Sequence, residues 1–148
     1  MVLSAVRRLF ATEAVDFTET EAFLRGFVQV ALAAVEFGLI FWIIAALELA
    51  TLDPSPESAV LSLLLGAVPA LVLGAGVPYL LQYREYLDRV TDSPWARVIG
   101  PVLTFGTYTL LFFYDPVSSV VYAFVYLTSR VAILVGIYGG SRIKTALA

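Results

Sequence analysis

Four long apolar stretches, separated by short polar breaks, set the pattern of this chain. They cover about 26–52, 59–81, 98–114 and 117–138, and the apolar residues fall in runs instead of alternating with polar ones. A transmembrane helix needs roughly 20 apolar residues to cross about 30 Å of hydrocarbon. The third stretch is the shortest and suffices if little tilted.

The breaks carry helix signals. In Asp53-Pro54-Ser55-Pro56-Glu57, Ser55 suits an N-cap, Pro56 the first helical position and Glu57 the positive helix end. Asp92-Ser93-Pro94 repeats the cap-plus-proline device. Asp115-Pro116 is so tight a connection that the third and fourth stretches should form an antiparallel hairpin. Thr18 and Glu21 have capping-box spacing ahead of the first stretch. Arg84–Asp88 and Glu85–Arg89 are spaced for i,i+4 ion pairs, which predicts that the second helix continues past its apolar part. Gly139-Gly140 should end the fourth helix. Residues 2–10 place Arg7 and Arg8 opposite Leu3, Val6 and Phe10, the pattern of an interfacial helix.

The predicted fold class is therefore an all-α integral membrane protein. Four transmembrane helices form two antiparallel hairpins, preceded by a short N-terminal interfacial amphipathic helix, in a single domain over 1–148. Basic residues set its orientation. Arg7, Arg8, Arg25, Arg84, Arg89, Arg97, Arg142 and Lys144 flank one side, while the 53–58 and 115–116 connections carry none. Both termini are expected on the cytoplasmic side of the cell membrane.

Composition agrees and narrows the chemistry. The chain is 60% hydrophobic and 14% charged, against roughly 45–50% and about 25% in soluble domains. It has no cysteine and no histidine, which removes thiolate or imidazole metal sites, iron–sulfur clusters and histidine-ligated haem. No metal and no cofactor is expected. The net charge of −3 comes without a basic cluster, so nucleic acid is not an expected partner. The acidic balance, with arginine preferred over lysine, would suit a halophilic prokaryote.

Two ions interrupt the apolar stretches. Glu36 lies about ten residues inside the first and Arg130 about ten residues before the end of the fourth, each roughly 15 Å from the cytoplasmic edge. Ionised groups at bilayer depth are costly and usually paired or functional. Their matched depth predicts a direct Glu36–Arg130 pair, either a structural ion pair or part of an ion or substrate pathway. Gln29 shares a helical face with Glu36, and Tyr122 and Tyr126 lead by helical spacing to Arg130, so these three are candidate polar lining. Glu48, Asp53 and Asp115 would form an acidic outer vestibule, or act simply as interfacial carboxylates. Gly66, Ala70 and Gly74, and likewise Ala132, Gly136 and Gly140, are small residues four apart, suited to close helix packing. Pro69 and Pro78 should bend the second helix.

No phosphate loop, zinc motif or nucleophile elbow occurs, so catalysis is not expected, a carboxylate-dependent membrane enzyme being the remote exception. Two functions stay open at this level. One is an oligomeric transporter or channel subunit using the Glu–Arg pair. The other is a non-catalytic accessory or assembly subunit of a larger membrane complex. The expected partners are the lipid bilayer and either further copies of the chain or larger membrane proteins.

Overall fold

The computed structural model describes residues 20–48, 59–77 and 94–148. They form α1 (Thr20–Ala46), α2 (Ala59–Leu71), a π turn that widens α2 over Val72–Gly76, α3 (Pro94–Tyr114) and α4 (Pro116–Leu147). There is no strand among the described residues. The expected interfacial helix at 2–10, the Thr18 cap, Asp53 and its turn, and the ion pairs at 84–89 all lie outside them.

Three helices are long and apolar enough to cross a membrane: Phe23–Ala46, Ala59–Gly76 and Pro116–Leu147. The apolar part of α3, Val98–Tyr114, is shorter, about 25 Å at 1.5 Å per residue. Large apolar side chains are exposed on every helix, among them Trp42, Val60, Leu110 and Phe124. Apolar surface this extensive marks contact with lipid or another protein. These helices point to a membrane protein.

α4 is the centre of the assembly and touches the three other helices, α2 most extensively. Small residues explain the intimacy. Ser62, Gly66, Ala70 and Gly74 are all buried on one edge of α2. A Cβ on Gly66 would collide with the Ser118 carbonyl and lie 2.9 Å from the Val121 Cβ. One on Gly74 would lie 2.5 Å from Ser129 Oγ and 3.0 Å from the Tyr126 carbonyl. Only a bare backbone lets the helices come this near.

An aromatic core fills the space between α1, α3 and α4. Phe37 sits 4.9 Å from the Tyr108 ring, 5.0 Å from Phe105 and 5.5 Å from Tyr126. Phe112 and Tyr122 are fully buried beside them. Such ring pairs add about 0.5–1.5 kcal/mol each beyond the area they bury.

Helix ends follow local chemistry. α1 stops at Ala46, short of the expected 52, where Glu48 takes a left-handed backbone with φ 50°. Pro69 has no N–H to give the Leu65 carbonyl, and three residues later the ladder widens into the π turn, closed by Val77 N–H to the Val72 carbonyl. α4 does not end at Gly139-Gly140 but continues to Leu147. Neither glycine adopts positive φ, and packing beyond them holds the last turns in place. Phe23 stacks on Tyr138 at 4.2 Å, and Arg142 lies 5.1 Å over the same ring while donating to Thr20 Oγ1 at 2.8 Å.

Candidate functional site

The inward face of α1 is set by residues seven apart: Val30, Phe37 and Ile44 are buried, with Ala33 and Ile40 packed beside them. Glu36 precedes Phe37, so it turns about 100° away from that seam. It is exposed, whereas Gln29 and Arg130 are half-buried. The expected Glu36–Arg130 ion pair is not formed. Among the described residues the only ion pair joins Arg25 to Glu21 at 3.1 Å, one turn apart at the start of α1. Depth alone had suggested the pairing; rotation about the helix axis separates the two groups, because Phe37 takes the inner position.

The tyrosines of α4 face inward into a filled space. Tyr122 is fully buried and donates its hydroxyl to the Thr104 carbonyl at 2.9 Å. Its ring stacks on Tyr126 at 6.1 Å, and Phe37 meets both edge-on. The hydroxyls nearby return to their own helix: Ser118 to the Asp115 carbonyl at 2.7 Å, Ser119 to that of Pro116 at 2.7 Å, and Ser129 to that of Tyr126 at 2.9 Å. Hydroxyls that bond the preceding turn are satisfied locally and have little left to offer a solute. Among the described residues no buried side-chain polar atom lacks a partner.

Asp115, expected as a vestibule or an interfacial carboxylate, holds a structural position. Its extended backbone (φ −153°) precedes Pro116, and its Oδ1 accepts from Val117 N–H at 3.2 Å, capping α4. Its other oxygen, Oδ2, accepts from Ser62 Oγ near the start of α2. One carboxylate thus ties the α3–α4 connection to α2. Glu48 is exposed at the end of α1, and Asp53 lies outside the described residues.

The two small-residue series differ in surroundings. Gly66, Ala70 and Gly74 are buried against α4. Ala132 and Gly136 are exposed and Gly140 is half-exposed, and a Cβ on Gly136 or Gly140 would meet nothing within 4 Å.

A cluster missed in the sequence joins the opposite end of the bundle. Thr20 Oγ1 lies 3.1 Å from Tyr138 Oη and receives the Arg142 hydrogen bond, with Phe23 stacked beneath. Tyr138 and Arg142 stand one turn apart, a visible signal of a shared α4 face. Nothing in the pattern marked Thr20 as their partner, more than a hundred residues away.

What this arrangement does chemically is pack. The aromatic core fills the centre, the Tyr122, Ser118, Ser119 and Ser129 hydroxyls are bonded to backbone carbonyls, and Glu36 and Arg130 form no ion pair among the described residues. No curated protein and no solved structure matches the chain. Residues 1–148 match one family along their whole length, and the chain belongs to that family, described as a domain of unknown function (DUF8100).

Proposed function

We propose that the chain is a non-catalytic accessory or assembly subunit of a larger membrane complex. In this reading its helices cross the bilayer as two antiparallel hairpins with both termini cytoplasmic. One observation carries it. Tyr122, the buried phenol of the expected polar lining, donates to the Thr104 carbonyl inside the aromatic core, and the Ser118, Ser119 and Ser129 hydroxyls are bonded to their own helix. A transport pathway needs polar groups free to replace a solute's hydration shell. A scaffold needs only a rigid interior and a large apolar exterior, and Trp42, Val60, Val102, Leu110 and Phe124 provide the latter.

The test combines extraction and flux. Tagged protein extracted gently should arrive with stoichiometric larger membrane subunits. Purified and reconstituted into sealed vesicles, the chain alone should leave proton and ion permeability at the level of empty vesicles. Flux well above that level, reduced by Glu36→Gln, would overturn the reading in favour of a transporter or channel subunit.

A further inference from the structure

Glu36 stands well inside the apolar part of α1, which runs from Phe23 to Ala46. At 1.5 Å per residue it is about 20 Å from one end and about 15 Å from the other. It is exposed, and among the described residues it makes no ion pair and no hydrogen bond. A glutamate side chain is too short to reach water from that depth, and a carboxylate against acyl chains is unfavourable. The inner seam of the helix gives it no shelter, because Phe37 occupies it.

The surface around Glu36 is laid out for a second helix. Seven residues complete nearly two turns, so Gln29, Glu36 and Ile43 fall in one line and Leu32, Leu39 and Ala46 in another beside it. That is the spacing of a coiled-coil seam, with Glu36 near its middle. It lies about 100° around the helix from Val30, Phe37 and Ile44, which pack inside the bundle. From Leu32 onward every residue of this outer seam is exposed, so none of the described helices covers it. α1 thus carries two seams, one filled by its own chain and one left open.

We propose that the open seam docks a transmembrane helix of a partner protein, one that presents a lysine or arginine at the level of Glu36. The inference rests on the accessory-subunit reading and supplies the surface and the chemistry that hold the subunit in its complex. Charge complementarity selects the occupant. A second copy laid on the same seam would set Glu36 against Glu36, like charge against like. Acyl chains offer no counter-charge. A basic residue on a partner helix neutralises the carboxylate and fixes the register, as one polar position does in a coiled-coil core. Leu32 and Leu39, one turn to either side, close over the pair and keep lipid and water away from it.

Defined peptides test the chemistry without the natural partner. Fluorescent leucine–alanine transmembrane helices with lysine, glutamate or leucine at the centre are mixed with labelled protein in phospholipid vesicles, and association is read by resonance energy transfer. The lysine peptide should bind about tenfold more tightly than the leucine peptide, the scale of polar contacts between membrane helices. Glu36→Gln should remove that advantage, and Glu36→Lys should transfer it to the glutamate peptide. If Glu36→Lys fails to fold by circular dichroism, Glu36→Gln and Leu39→Ala carry the test, the latter weakening the lysine and leucine peptides alike. Equal binding of the lysine and leucine peptides to the wild type would overturn the proposal.

Cross-linking in native membranes completes it. A photo-reactive residue in place of Leu39 should capture a helix with a lysine or arginine inside its span, identified by mass spectrometry, and Glu36→Gln should sharply reduce the yield. Adducts with lipid alone or with a second copy, while a stoichiometric partner still co-purifies, would overturn the docking and leave the accessory reading intact. Absence of any stoichiometric partner, or ion flux through the chain alone, would overturn both.

Discussion

Ser62 donates its hydroxyl hydrogen bond to the Asp115 carboxylate across fifty-three residues of chain, and the same carboxylate caps α4 through Val117 N–H. One side chain thus orders a helix start and fixes a neighbouring helix to it. The cap is worth about 1 kcal/mol and the bond from Ser62 a similar amount.

Asp115→Ala should therefore lower stability by about 2 kcal/mol, and Ser62→Ala by about 1 kcal/mol. Asp115→Asn, which can still cap, should cost less than the alanine change. Thermal unfolding in detergent, followed by circular dichroism, checks the order. Equal losses for the alanine and asparagine variants would refute the capping role.

Glycine substitutions should divide by location. Gly66→Ala forces a methyl group into the Ser118 carbonyl and should cost about 1–3 kcal/mol, since backbone on both sides has little room to yield. Gly136→Ala meets nothing within 4 Å and should be neutral or stabilising by up to about 1 kcal/mol, through helix propensity. Denaturant titration of the two variants side by side provides the comparison.

Much of this architecture was legible in the chain. Apolar runs marked the four helices, and Asp115-Pro116 and Pro94 marked helix starts. What the runs could not convey was rotation. Glu36 and Arg130 were placed by depth, yet a single step of about 100° decides whether Glu36 or Phe37 meets the core. In an all-apolar helix the neighbours leave no amphipathic seam by which to judge that step. In the sequence Asp115 stands as a charge and as half of a tight connection; its capping of α4 depends on the extended backbone ahead of Pro116 and shows only in the structure. Gly139-Gly140 looked like a stop because glycine weakens helices locally, while Thr20, far away in sequence, accepts a hydrogen bond from Arg142 beyond it.

Phe37 should be the costliest single truncation. Its ring contacts Phe105, Tyr108, Tyr122 and Tyr126, so Phe37→Ala should lose about 3–5 kcal/mol. Tyr122→Phe keeps the ring and removes only the bond to Thr104, so it should cost about 1 kcal/mol. Unfolding midpoints that fall equally for the two would contradict the primacy of ring packing.

Glu48→Gly should raise stability by about 1 kcal/mol. Glu48 holds a left-handed backbone just past the end of α1, where a Cβ is strained and glycine is the favoured residue. A lowered melting temperature would instead assign the Glu48 side chain a stabilising contact of its own.

The π turn in α2 has a geometric consequence for the buried edge it follows. Steps of four residues overshoot a full α-helical revolution by about 40°, so Ser62, Gly66, Ala70 and Gly74 would spiral progressively off a straight partner. The broader loop at Val72–Gly76 fits more residues into each revolution and winds the strip back. Gly74 thereby regains its berth against Ser129. Removing one residue from that loop would return it to the ordinary i→i+4 coil with Val77 facing nearly the same way, because a π turn is what an α-helix makes of one extra residue.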